Sequence, residues 1–251
     1  MKLTNYEIVN RFIADFSKNV GKVLGDEVIG IYLFGSLTYG DFNPDRSDID
    51  LLVVVKYPLA KGKIKLLKKF HVDLGKKYPK WAKRHESSYT PIDFFKNILP
   101  PTKPRPYFGS GKFYPKAQYG NEWLINNYLL YKHGITFMGP DFKNLVEPIN
   151  IEDVKKACIR DLHKEWKPKI NDQTWLEESH HQAYIVLNLC RILYTIKNDL
   201  VTSKKVSASW VKNEFNDWRN LIETAENWKY GTEVNVQNET IMFIKFILSK
   251  I

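Results

Sequence analysis

Two aspartates one residue apart, Asp48 and Asp50, stand at the head of an otherwise aliphatic run, Ile49 to Val55. A short run so rich in β-branched residues is a buried strand. Side chains alternate faces along a strand, so both carboxylates point the same way. Like charges placed together beside apolar surface are unfavourable unless a cation lies between them. Oxygen-only ligands suit Mg²⁺, which keeps positions open for phosphate oxygens and water.

The segment ahead of this strand supplies the matching half. Val28 to Phe34 reads as another buried strand, and it ends in Gly35-Ser36, where exposed backbone N–H groups and a hydroxyl can hold a phosphate. Gly35 to Ser47 is turn chemistry, with glycines, Asn43, Pro44, Asp45 and Ser47. An Asp-x-Asp pair alone often does no more than bound a turn before a strand. Gly-Ser closing one strand and Asp-x-Asp opening the next is more specific: it makes a triphosphate platform beside a metal pair, suited to in-line displacement at phosphorus.

Around this core the chain changes character. Ile8, Val9, Phe12, Ile13, Phe16, Val20, Val23 and Leu24 recur at helical spacing, so residues 4–24 form an amphipathic helix that Gly25 ends. Lys61 to Lys77 is a second helix, with lysines around a buried stripe of Ile64, Leu66, Leu67 and Phe70. Residues 87–95 supply a third strand, and Leu99 to Pro115, with five prolines, reads as a long loop. From about residue 151 helical spacing dominates. An N-terminal α/β domain and a C-terminal helical domain therefore meet near Pro148.

Composition narrows the class. With 43% hydrophobic and 14% aromatic residues the chain can bury a core. Two cysteines, Cys158 and Cys190, are too few for a disulfide framework and sit among aliphatic residues as buried thiols. Asn5, Glu7, Asn10 and Arg11 interrupt any signal-peptide pattern, and no apolar run approaches a membrane span, so a soluble cytoplasmic protein is expected. The net charge of +10 invites a nucleic-acid reading, but the lysines are scattered and read as solvated faces, so charge alone selects no partner.

Gly35-Ser36 followed by Ser47-Asp48-Ile49-Asp50 resembles the signature of the DNA polymerase β-like nucleotidyltransferase superfamily. Within it the chain is most similar to the bacterial aminoglycoside (streptomycin and spectinomycin) adenylyltransferases. Tyr119-Gly120-Asn121-Glu122-Trp123-Leu124, Gly139-Pro140, the run from Val186 to Thr195, Thr202-Ser203-Lys204 and Ala208-Ser209-Trp210 carry the likeness across nearly the whole chain. The resemblance implies an α+β fold: a nucleotidyltransferase domain over 1–150, with a mixed sheet flanked by helices, then an α-helical bundle over 151–251 that adds ATP and acceptor contacts.

It also implies roles. Asp48 and Asp50 would ligate Mg²⁺, and Gly35, Ser36 and Ser47 would contact the phosphates. A third-strand glutamate serves as the family's base; Glu86 is the match here, with Asp93 as competitor. Arg191, Lys204 and Tyr230 fall where the family contacts ATP. Trp123, Glu122 and Glu178 would line the acceptor site as an aromatic and anionic wall, although helical packing is an equal reading for Trp123 and a solvated helix end for Glu177 and Glu178. His180 and His181 read as surface or packing residues. The expected reaction moves AMP from ATP to a hydroxyl of spectinomycin or streptomycin, with Mg²⁺ and release of pyrophosphate. The alternative acceptor is a protein or RNA hydroxyl. A monomer with no membrane or nucleic-acid partner is expected.

Overall fold

The computed structural model describes residues 4–251. The chain forms two compact units, one of Met1–Gly120 with Asn126–Pro148, the other of Asn121–Ile125 with Ile149–Ile251.

Helix α1 (Glu7–Leu24) opens the first unit and buries Val9, Phe12, Ile13, Phe16, Val20 and Leu24. It begins later than its apolar spacing suggests because Thr4 forms a hydroxyl turn, accepting from the Tyr6 N–H at 3.0 Å. Strands β1 (Val28–Phe34) and β2 (Ile49–Val55) pair antiparallel, as their apolar runs predict. Helices α2 (Lys61–Lys77) and α3 (Pro79–Ala82) then carry the chain across to β3 (His85–Pro91), which lies parallel to β2. A parallel neighbour requires such a crossover. Strands β4 (Arg105–Gly109) and β5 (Lys112–Ala117) extend the sheet antiparallel beyond β3. Helix α4 (Trp123–His133) leads to β6 (Ile135–Met138), which pairs on the free side of β1. The six-stranded sheet has the order β5-β4-β3-β2-β1-β6.

Alternation along β2 covers both faces of this sheet. Ile49, Leu51, Val53 and Val55 join the α1 and α2 side chains in one cluster, while Leu52 and Val54 join Tyr32, Leu130 and Phe142 in another. In α2 the buried stripe is Leu67, Phe70, His71 and Leu74; Leu66 lies on the solvent side with the lysines, half exposed.

Two further expectations need correction. The third strand starts at His85 and ends at Pro91, and residues 92–96 curl into a 3₁₀ turn. The stretch 99–115, read as loop, holds a β-hairpin. Its prolines occupy tolerated places: Pro106 sits at a register shift between Arg105 and Tyr107, and Pro115 lies on the outermost strand. Ser110 and Gly111 both take positive φ, 51° and 71°, the two-residue link whose twist suits a hairpin.

The second unit is built around α6 (Ser179–Asn198), which buries Ile185, Val186, Leu189, Cys190, Ile192 and Leu193. Helices α5 (Ile151–Asp161), α7 (Lys204–Glu214), α8 (Arg219–Asn227) and α9 (Gln237–Ser249) all pack on it. Asn150 and Ser203 cap α5 and α7 through their side-chain oxygens. Cys158 and Cys190 are free and buried. Among the described residues no helix is long and apolar enough to cross a membrane.

Candidate active site

One edge of the first unit's sheet collects the chemistry. β1 runs toward this edge and pairs Phe34 with Asp50, so Gly35-Ser36 and the start of β2 arrive together. Gly35 has φ 73°, and a Cβ there would overlap the Asp50 carboxylate. Only glycine lets the turn close over that oxygen. Ser36 is half-buried in the 3₁₀ turn Gly35–Thr38, which the Thr38 hydroxyl fastens by donating to the Gly35 carbonyl at 2.8 Å.

Asp48 is held from behind. Arg84, only 7% exposed, donates to the carbonyls of Pro44 at 2.7 Å and Ser47 at 2.6 Å, and its Nε lies 4.0 Å from Asp48 Oδ1. The Ser47 hydroxyl accepts from the Asn43 N–H at 2.9 Å, which engages it in shaping this turn. The predicted phosphate-side residues and the two aspartates therefore converge on one rim.

The parallel register of β2 and β3 sets Glu86 directly beside Asp50. Glu86 is exposed, and its carboxylate is hydrogen-bonded to the Tyr107 hydroxyl on β4. Burial, then the neighbouring Glu86 charge and this hydrogen bond, raise the Tyr107 pKa and keep the hydroxyl protonated. Asp93 is elsewhere: it follows the far end of β3, about 20 Å from Glu86 at strand rise, and pairs with Lys96 at 2.7 Å. Of the two carboxylates, Glu86 is the one that lies beside Asp50.

The opposite face of β3 carries a buried relay. The Trp81 carbonyl can only accept, so His85 Nδ1 donates to it at 3.1 Å. His85 Nε2 then accepts from His71 Nδ1 at 3.3 Å, and His71 Nε2 accepts from the Tyr89 hydroxyl at 2.8 Å. Burial pushes the His85 pKa down to about 4 and holds His71 well below its usual value, so both rings are neutral. Phe108 stacks on both at 4.3 and 4.4 Å.

In the second unit, Arg191, Lys204 and Tyr230 relate to one stripe of α6. Arg191 donates to Asn188 at 2.9 Å. Lys204, at the start of α7, sets its ammonium 4.1 Å from the Tyr184 ring centre. Tyr230 lies 5.4 Å from His180 and 4.9 Å from Trp228, ring centre to ring centre. Positions 180, 184, 188 and 191 share a helix face. Of the expected acceptor residues, Trp123 is buried at the start of α4, Glu122 adds its charge to the surroundings of buried Asp161, and Glu178 is solvent-exposed 3.8 Å from His181. His181 itself stacks on Trp175 at 3.9 Å.

Comparison with known proteins gives a family match in each half. A nucleotidyltransferase domain family matches residues 10–98, and the C-terminal domain family of aminoglycoside adenylyltransferases matches residues 144–246. This chain belongs to the aminoglycoside adenylyltransferase family. It is 28% identical to a spectinomycin 9-adenylyltransferase of Campylobacter jejuni, over 75% of this chain and 72% of that one. A spectinomycin 9-adenylyltransferase of Staphylococcus aureus is 25% identical, over 83% and 79%. The crystal structure of spectinomycin adenyltransferase AAD(9) from Enterococcus faecialis with ATP and spectinomycin has the same fold, with a TM-score of 0.73 at 20% identity over 96% of this chain and 98% of that one.

Sequence reasoning missed several structural features of this adenylyltransferase. Arg84 carries no periodic signal, yet it braces the Asp48 turn. Tyr107 lay in the supposed loop; the Gly109-Ser110-Gly111 run ahead of Phe113 was the available hairpin cue. Asp161, 2% exposed, accepts from the Trp166 indole at 2.8 Å in a π-helical turn, Leu162–Trp166, that continues α5. No pattern in the sequence announces that turn.

Proposed function

We propose that this adenylyltransferase transfers AMP from ATP to a hydroxyl of spectinomycin, releasing pyrophosphate. The observation that carries this reading is the pairing of Asp50 with Glu86 across β2 and β3, beside a glycine turn that closes over Asp50. The relatives named as spectinomycin 9-adenylyltransferases support the choice of acceptor.

The donor set at the rim fits Mg²⁺. Asp48 and Asp50 offer oxygen ligands only, and Mg²⁺ typically takes one or two carboxylates and completes its shell with phosphate oxygens and water. When bound, the ion supplies charge neutralisation for the attacking and leaving oxygens. Asp48 and Asp50 are its ligands in this reading, with Arg84 holding the Asp48 turn in place. Gly35 and Ser36 receive phosphate oxygens through backbone N–H groups and a hydroxyl. Glu86 accepts the proton of the acceptor hydroxyl as that oxygen bonds to the α-phosphorus and the bond to the pyrophosphate leaving group breaks. General-base assistance of this kind contributes about 10²- to 10⁴-fold. In the second unit, Arg191 and Lys204 bring positive charge to the triphosphate, the first as a planar fork and the second as a point charge. Tyr230 offers a ring for stacking, and Trp123, Glu122 and Glu178 are assigned to the acceptor.

The test is pyrophosphate release with ATP and Mg²⁺ across spectinomycin, streptomycin, other aminoglycosides and lincosamides, with mass analysis of the drug. Spectinomycin-dependent release with one added AMP is expected, abolished in Asp50→Asn and reduced at least about 10²-fold in Glu86→Gln. Wild-type turnover in Asp50→Asn would overturn the site. Release with streptomycin alone would reassign the acceptor, and silence across the panel with intact ATP binding would shift it to a macromolecular hydroxyl.

A further inference from the structure

Gly109 ends β4, and the antiparallel register that pairs Phe108 with Ser87 and Tyr107 with Ser88 brings it level with Glu86 when continued by one step. A Cβ at Gly109 would come within 2.6 Å of the Tyr107 ring and hydroxyl. The tyrosine therefore leans onward along its own strand, over the space that a side chain would fill, and its hydroxyl meets the Glu86 carboxylate. The ring is clamped from the other side. Arg105 sits 4.8 Å from the Tyr107 ring centre and 4.1 Å from that of Tyr119, and donates to Ser88 at 3.0 Å. It also donates to the backbone carbonyls of Ala117 and Gln118. On the reverse face, Phe108 is stacked between the strand and the two neutral histidines, which fixes β4 in depth. A phenol held on three sides with its donor aimed at one carboxylate is a directional constraint on that carboxylate.

We infer that Tyr107 is a positioning residue for Glu86: its hydroxyl occupies one carboxylate oxygen and orients the group, so that the remaining oxygen faces the acceptor hydroxyl. The inference rests on Glu86 being the base. It adds that the β4–β5 hairpin belongs to the catalytic apparatus, through one hydroxyl and one missing Cβ. Tyr107 touches neither the reacting phosphorus nor the acceptor in this arrangement; it acts through Glu86.

Tyr107→Phe keeps the ring and deletes the donor. With spectinomycin, ATP and Mg²⁺, kcat is expected to fall about tenfold, the loss of one charge-assisted hydrogen bond, while the KM for ATP is unchanged. Independently of turnover, the ¹³C chemical shift of the Glu86 carboxyl in the full chain at one neutral pH, assigned with Glu86→Gln, should change when this hydrogen bond is removed. Gly109→Ala, which displaces the ring and keeps the hydroxyl, should reproduce the pattern and serves if Tyr107→Phe fails to fold. A kcat and a Glu86 carboxyl shift both unchanged in either folded variant would overturn the positioning role. Full transfer by Glu86→Gln would instead remove the base assignment, and the inference with it.

Discussion

Asp161 is a carboxyl 2% exposed to solvent, kept in place by the Trp166 indole. Burial, with the Glu122 and Glu165 charges adding to it, pushes its pKa up from 3.8 to about 7 against the pull of that hydrogen bond. Between those two values the folded chain holds a proton that the unfolded chain has released, so its contribution to stability falls as pH rises through the interval. The full shift is worth about 4 kcal/mol at most. Asp161→Asn preserves an oxygen for Trp166 and carries no charge. It should match the native protein near pH 4 and exceed it in urea denaturation at pH 8; equal midpoints at pH 8 would refute this reading. The aspartates of the rim were legible in the sequence because charge beside a β-branched run is conspicuous. Asp161 was not, since nothing in an amphipathic helix reveals that its last carboxyl turns inward.

At the level of elements, β1, β2 and α2 were readable to the residue from apolar periodicity and flanking turn residues. The hairpin of β4 and β5 escaped because five prolines outweighed a short aromatic pattern. Pro106 is accommodated by a register shift, a tertiary solution invisible in one dimension. β3 was misplaced for a related reason: its buried face is His85, Ser87 and Tyr89, of which His85 and Tyr89 are satisfied by the relay with His71 and Trp81, so no apolar alternation marks it. Arg105 is the buried clamp of the hairpin, bonded to Ser88 and to two backbone carbonyls. Arg105→Ala leaves those acceptors unpaired and should cost about 2–4 kcal/mol. Hydrogen exchange in β4 and β5 should accelerate; unchanged protection there would contradict the clamp.

Across the whole molecule, the two units carry buried titratable groups of opposite sense. In the first, His71 and His85 are depressed by burial, so the stability they contribute is present above about pH 6.5 and is lost as pH falls toward the His85 value of about 4. In the second, Asp161 contributes most at the acid end. Hydrogen-exchange protection factors should therefore fall in β3 and rise in α5 as pH drops from 7 to 5, with Asp161→Asn removing the rise. Protection that keeps a constant ratio between the two elements across that range would exclude it. The net charge of +10 was a poor guide to partners, as several α2 lysines are answered locally: Lys69 and Lys76 by Asp73, Lys77 by Asp15, Lys63 by Glu27. The order of the strands has a separate consequence for synthesis. β1 leaves the ribosome early, yet the strand that covers its outer edge, β6, is translated roughly a hundred residues later, about 5–20 s at usual elongation rates. For that interval the nascent chain displays a row of unpaired β1 backbone groups, the kind of edge that invites a second chain to pair with it.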